Sequence, residues 1–218
     1  MTFSVVAISP DEKYIGVAVA TKLTHVGSKI PFGSGTGGVI VLQGLLTPEY
    51  TAKGKRAIRK LESGKDVVTV RDYILHNDPL AGRRQFQILD IHGNQLSYTG
   101  RQTTYSEQRF PTYSGHLYGS NVSVAGNILS SPDVVGNMLD WYKWMSLEDL
   151  TFPDLLTGTL LVAEKAGGDA RDFSEGYSAA LRIYRIGRKE PVLSLDLDDS
   201  ETPIHDLRHD LEKLSMCK

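Results

Sequence analysis

A chain of 218 residues, 40% of them hydrophobic and with no long polar tract, can bury one substantial core, so a single domain over residues 1–218 is expected. Its 24 Lys and Arg against 26 Asp and Glu give a formal charge of -2, which leaves no global basic field to hold a phosphate backbone, and nucleic acid is not an expected partner. The single cysteine, Cys217, excludes an intrachain disulfide and a cysteine-rich metal site; with no secretory signal pattern and no apolar run near the roughly 20 residues of a membrane helix, a cytoplasmic protein away from the membrane is expected.

Two apolar runs rich in β-branched residues, 3–8 and 14–20, predict strands, and SPDEK between them supplies turn chemistry through Ser9, Pro10 and Asp11, which makes a hairpin. GSGTGG and the strand-like VIVLQ come next. A helix follows over TPEYTAKGKRAIRKLESG, where Thr47 can cap, Pro48 suits the first turn and Gly64 ends it. A second helix over 66–76 carries Val67, Val70 and Ile74 on one stripe and closes at Asp78-Pro79. RQFQILDIHGNQLSYTG reads as two alternating runs around His92-Gly93-Asn94, again a hairpin.

A polar, aromatic loop is expected over 101–118, and NVSVAGNIL is a strand that ends at Gly126-Asn127. Helices over 132–145 and 152–166 lead to the loop AGGDARDFSEG. The strands YSAALRIYRI and VLSLDLD and a helix over 203–214 complete the chain. Helices that arrive in pairs between hairpins favour antiparallel sheets with segregated helices, an α+β layered sandwich, over a parallel sheet.

Several motifs invite chemistry. Gly33, Gly35 and Gly38 match G-x-G-x-x-G, yet a dinucleotide site needs them between a strand and a helix, and here VIVLQ follows, so a tight turn or loop is expected. His205 and His209 share a helical face and could hold a metal, but a terminal amphipathic helix built on Ile204, Leu207, Leu211 and Leu214 also leaves histidines facing solvent. The carboxylates Asp196, Asp198, Asp199 and Glu201 could ligate a hard cation or stand solvated at a strand end. Ser130 and Ser131 before Pro132 suit a helix cap.

Thr2 carries two readings. Small residues commonly follow an initiator methionine, and threonine favours strands. Removal of Met1 would, however, leave a threonine whose own α-amino group, with an ordinary pKa near ~8, can accept the hydroxyl proton, so nucleophile and base would be one residue. The next strand, GVAVATK, brings Thr21 and Lys22 back to the same end of the hairpin, where a lysine could depress the pKa of a neighbouring amine.

The blocks MTFSVVA, IGVAVATK, GGVIVLQG with PEY, RRQFQILD followed by GNQLSYTG, GHLYG, AGNIL with PDVV, AGGDAR with SAAL, and LDLDDSETPIHDLR, in that order, resemble the DUF1028 family of the N-terminal-nucleophile (Ntn) hydrolase superfamily. The resemblance implies a four-layer αββα sandwich of two antiparallel sheets between helix layers. It implies Thr2 as nucleophile, Lys22 as a tuner of its amine and Asn127 as an amide donor to an oxyanion. Asp169 and Arg171 become residues that position a substrate's carboxylate or amine, and Gln43 and His116 wall residues.

Beside these roles stand plainer ones: Asn127 bonding local backbone at a turn, Asp169 capping or pairing with Arg171, Lys22 as a solvated charge. The chain also departs from the family pattern, with Thr47-Pro48 lacking the asparagine usual between them, Ala125 in place of a frequent glutamine, Ser200-Glu201 in place of His-Pro, and Arg171-Asp172 where arginine-glycine is usual. The implied activity is hydrolysis of a small amide-containing substrate with no cofactor and no metal. The alternatives are a non-catalytic small-molecule-binding or assembly protein on the same fold, and a metal enzyme using His205 and His209. The oligomeric state stays open, a homo-oligomer included.

Overall fold

Alternation along TFSVVAI sorts the first strand, β1 (Thr2–Ile8), between two environments. Phe3, Val5 and Ala7 enter one apolar cluster, while Val6 and Ile8 enter another on the opposite face, as the two-residue side-chain period of a strand requires. Every residue of β1 is buried, which is the mark of a strand covered on both faces. The computed structural model describes residues 2–103, 112–168 and 177–216.

After β1 come β2 (Tyr14–Thr21), the single-turn α1 (Val26–Lys29), β3 (Pro31–Ser34) and β4 (Gly38–Gly44). The helices α2 (Pro48–Glu62) and α3 (Val67–Leu75) lead through a short 3-10 turn at Ala81–Arg83 to β5 (Arg84–Asp90), β6 (Gln95–Thr99), β7 (Tyr113–Gly119) and β8 (Val122–Leu129). The helices α4 (Asp133–Met145) and α5 (Phe152–Lys165), the strands β9 (Tyr177–Arg185) and β10 (Pro191–Ser200), and α6 (Pro203–Met216) follow. Side-chain caps set three of the helix starts: Thr47, Asp66 and Thr151 accept the N–H groups of Tyr50, Thr69 and Asp154.

The strands form two antiparallel sheets, one of six strands in the order β10-β9-β2-β1-β8-β7 and one of four in the order β3-β4-β5-β6. Three apolar clusters mark the interfaces between layers. One joins β1, β2, β8 and β9 to α4, α5 and α6. A second fills part of the space between the sheets with Val6, Val17, Val19, Val39, Val41 and Leu89. The third joins β4 and β5 to α2 and α3 through residues such as Ile40, Leu42, Phe86 and Ile88. The order of layers is αββα, the α+β sandwich expected. Among the described residues no helix is long and apolar enough to cross a membrane.

Two segments differ from the sequence reading. Tyr113–Gly119, expected within a loop, is an edge strand whose exposed outer side and two glycines, Gly115 and Gly119, hide the alternation. α1 and β3, Val26–Lys29 and Pro31–Ser34, fall in sequence that carried no clear period, while GSGTGG makes the tight turn expected, between β3 and β4. Gly35 at its tip passes so close to the β9–β10 turn that a Cβ there would lie 2.2 Å from the carbonyl oxygen of Arg185 and 2.3 Å from that of Arg188. Only glycine admits that approach of backbone to backbone.

Candidate active site

The register of the six-stranded sheet places Thr21, Thr2 and Asn127 side by side, on β2, β1 and β8. The alternation that sends Phe3 toward the helices aims Thr2 the other way, toward the four-stranded sheet, and its row-mates share that face. Thr2 is 3% exposed, and its Oγ1 lies 3.1 Å from Oγ1 of Thr21.

Between the sheets the filling changes character along the strands. Beyond Val6 and Val17 the apolar contacts give way to amides and hydroxyls. Ser4 donates to Oε1 of Gln87 at 2.6 Å, Gln87 donates through Nε2 to Ser123 at 2.9 Å, and the Ser123 and Ser97 hydroxyls meet at 2.9 Å. Gln85 is the hub nearest Thr2. Its Nε2 faces the carbonyl oxygens of Gly126 at 2.8 Å and Gly115 at 3.1 Å and the Thr99 hydroxyl at 3.0 Å. Carbonyls only accept, so Gln85 must turn its NH2 toward them and its Oε1 away. Asn127 therefore presents Nδ2 to that Oε1, at 3.0 Å, which fixes which end of the Asn127 amide carries the donors and leaves its second N–H uncommitted to Gln85.

Thr2 and Asn127 open onto a cleft of about 850 Å³. Its other walls are the β4–α2 connection from Gly44 to Pro48, the α2 face of Thr51, Ala52 and Lys55, and Leu23, Thr24, Lys29, Arg83, Gln102 and Thr103. The connection is held from behind by Arg84. The Arg84 guanidinium pairs with Asp78 at 2.8 Å, with the two side chains 3% and 7% exposed, donates to the carbonyl of Leu45, and lies 4.3 Å above the Tyr50 ring. Burial alone would raise the Asp78 carboxyl, but the Arg84 hydrogen bond, the Leu80 N–H and the cationic surroundings outweigh it and hold the carboxyl below its ordinary value.

Of the remaining predicted residues, those the structure describes are not gathered at this cleft. Lys22 lines a smaller cleft of about 230 Å³ with Phe3, Glu164 and Glu201, its Nζ 5.1 Å from the centre of the Tyr177 ring. Gln43 is fully buried behind the cleft; its Oε1 lies 3.3 Å from the Ser4 hydroxyl, and its Nε2 meets no acceptor among the described residues. His116 on β7 is half-buried and pairs through Nδ1 with Thr99 at 2.8 Å, and burial lowers its pKa. Asp169 and Arg171 lie outside the described residues. His205 faces Glu164 at 3.3 Å and His209 faces Glu212 at 3.9 Å, so each histidine has its own carboxylate. Asp196 grips Arg182 and Asp198 grips His25, and among the described residues no group of three or more potential ligands converges on a metal site.

Gln85 escaped the sequence reading. The available signal was Gln85 and Gln87 alternating with Phe86 and Ile88: an amide on every second position of a strand otherwise apolar enough to be buried on both faces.

A family model described as "Family of unknown function (DUF1028)" matches residues 2–207. No curated protein matches the chain. The crystal structure of a DUF1028 protein from Silicibacter pomeroyi is similar over 97% of this chain and 85% of that one, with 26% identity and a TM-score of 0.79. The crystal structure of eukaryotic HslV from Trypanosoma brucei aligns with 85% of this chain and 99% of its own, with 9% identity and a TM-score of 0.49.

Proposed function

The chain belongs to the DUF1028 family, and from that premise we propose that it is a single-domain amide hydrolase of the N-terminal-nucleophile type, with Thr2 released as the first residue by removal of Met1. The observation that carries the reading is the adjacency of Thr2 and Asn127 on paired strands at the floor of one cleft.

In this mechanism the Thr2 hydroxyl oxygen attacks the amide carbonyl carbon while the Thr2 α-amine takes the hydroxyl proton. The carbonyl π pair moves to oxygen, and the second N–H of Asn127 donates to the oxyanion. Collapse re-forms the carbonyl and breaks the C–N bond, the departing nitrogen taking the proton from the α-ammonium. Water then attacks the Thr2 ester with the amine again as base, and the acid product leaves. Thr21 holds the Thr2 hydroxyl in place. Lys22, one residue beyond Thr21, lines the smaller cleft beside Glu164 and Glu201 and takes no part in this step. Asp169 and Arg171 are assigned to positioning the substrate, and Gln43 and His116 support the wall from behind. The chemistry draws on no cofactor.

A second reading, a pocket that binds without turnover, draws support from the burial of Thr2, 3% exposed and bonded to Thr21. The intact mass of protein from its own host separates the two. Loss of Met1 supports the nucleophile, and a retained Met1 ties the amine in a peptide bond and removes the base. Turnover of small acyl amides by the processed form, lost on Thr2→Ala, completes the test.

A further inference from the structure

The cleft that holds Thr2 has a charge the chain as a whole does not share. Lys29, Lys55 and Arg83 line it, and among the described residues no carboxylate does, although the formal charge of the protein is -2. Some cations elsewhere are matched by acids, Arg84 with Asp78, Arg182 with Asp196 and Lys189 with Glu62. Among the described residues Lys29 donates only to the carbonyl of Thr24, at 2.9 Å, and none of Lys29, Lys55 and Arg83 pairs with an acid.

Lys55 and Arg83 share one wall. Thr51 and Lys55 fall four apart on one face of α2, with Ala52 beside them, and Lys55 stands about 10 Å along the axis from the helix start at Pro48. Arg83 ends the 3-10 turn whose carbonyl accepts the Leu45 N–H at 3.0 Å, so it belongs to the same wall. Leu45, Leu46 and Ile128 line the same cleft, apolar surface suited to a short aliphatic stem.

We propose that the ligand of this cleft is a small acyl amide carrying a carboxylate at the end remote from the scissile bond, with Lys55 and Arg83 as the residues that select it. The inference rests on the hydrolase reading for which bond is cut, and on the lining charges alone for what is bound.

Two isosteric pairs test it: succinamate against succinamide, and glutaramate against glutaramide, titrated calorimetrically into processed protein carrying Thr2→Ala so that nothing is consumed. The monoamide carboxylates are expected to bind about fivefold or more tightly than the neutral diamides, with the preference shrinking as salt rises. The double variant Lys55→Gln/Arg83→Gln should bring the ratio close to one while leaving diamide affinity in place. Equal affinities, no binding by either member of both pairs, or a preference that survives the double variant would overturn the proposal. Selective carboxylate binding without ammonia release by the Thr2 protein would support it and remove the hydrolase reading. Faster hydrolysis of the diamides would do the reverse.

Discussion

Asn127 donates its side-chain N–H to Oε1 of Gln85 across 3.0 Å, so a residue of the four-stranded sheet sets the orientation of an amide on the six-stranded one. The same Gln85 amide also donates toward the carbonyls of Gly115 and Gly126 at once. Replacing Gln85 by methionine keeps the volume and removes the polar head. The expected cost is about 2 kcal/mol or more, because the buried Asn127 amide loses its acceptor and two carbonyls lose a donor. Urea denaturation measures it. If Asn127 donates to the oxyanion, kcat on any hydrolysed amide should fall in this variant with KM little moved, and Asn127→Ala should cost about 100- to 1000-fold. Unchanged kcat in both would remove Asn127 from the chemistry.

The nucleophile has its own signature. Thr2→Ala in the processed protein should lose turnover by orders of magnitude while its thermal midpoint moves little, since only a hydroxyl and a methyl at a strand end are removed. Thr2→Ser should retain part of the rate. Protein in which Met1 is kept by design should be as inactive as Thr2→Ala, a coincidence that no role for Thr2 as a mere strand residue produces.

The Asp78–Arg84 pair behind the β4–α2 connection gives a pH test. The Asp78 carboxyl titrates below its ordinary value when folded and near ~3.9 when unfolded, so the pair's stabilisation is complete above about pH 4 and is lost as pH falls through the folded value. Asp78→Asn should flatten the acid limb of the stability curve in that window. Asp78→Ala, which strands a buried guanidinium, should cost about 3 kcal/mol or more by chemical denaturation at neutral pH.

His116 acts in a higher window with the same sign. Burial lowers its pKa in the folded state, so the unfolded chain binds the proton more readily. Stability should fall as pH drops below about 6.5, the ordinary histidine value, until the folded value is passed. His116→Gln, which can still meet Thr99, should remove this component while leaving the Asp78 limb unaltered. Melting temperatures from about pH 7.5 down to about pH 2 resolve the two steps.

The layers were legible because each leaves a periodic trace. Paired helices between hairpins pointed to segregated helices, and caps such as Thr47 and Asp66 marked starts to within a residue or two. β7 was not legible, because Gly115 and Gly119 break its pattern and its outer side needs no apolar residues. For the site, Thr2 and Asn127 were found separately, one by the chemistry of a threonine after methionine and the other by resemblance; their adjacency is a matter of register that no local pattern encodes. Lys22 was brought near Thr2 by the hairpin, but residue 22 lies beyond β2, which ends at Thr21, where alternation no longer dictates direction, and it lines the other cleft. The cationic wall went unread because Lys29, Lys55 and Arg83 come from three separate segments with no shared spacing.

β1 is paired on both sides up to its first residue, with β2 at Thr21 and β8 at Asn127. The first described residue of that strand therefore stands at the edge of the cleft it lines. An affinity tag or reporter fused upstream would be tethered beside that cleft, at an effective concentration on the order of millimolar for a short flexible link. Assays and ligand screens on this protein should therefore carry their tags at the other terminus, and an upstream peptide joined through a cleavable linker becomes a tool: cutting it should end that tethering in a single step.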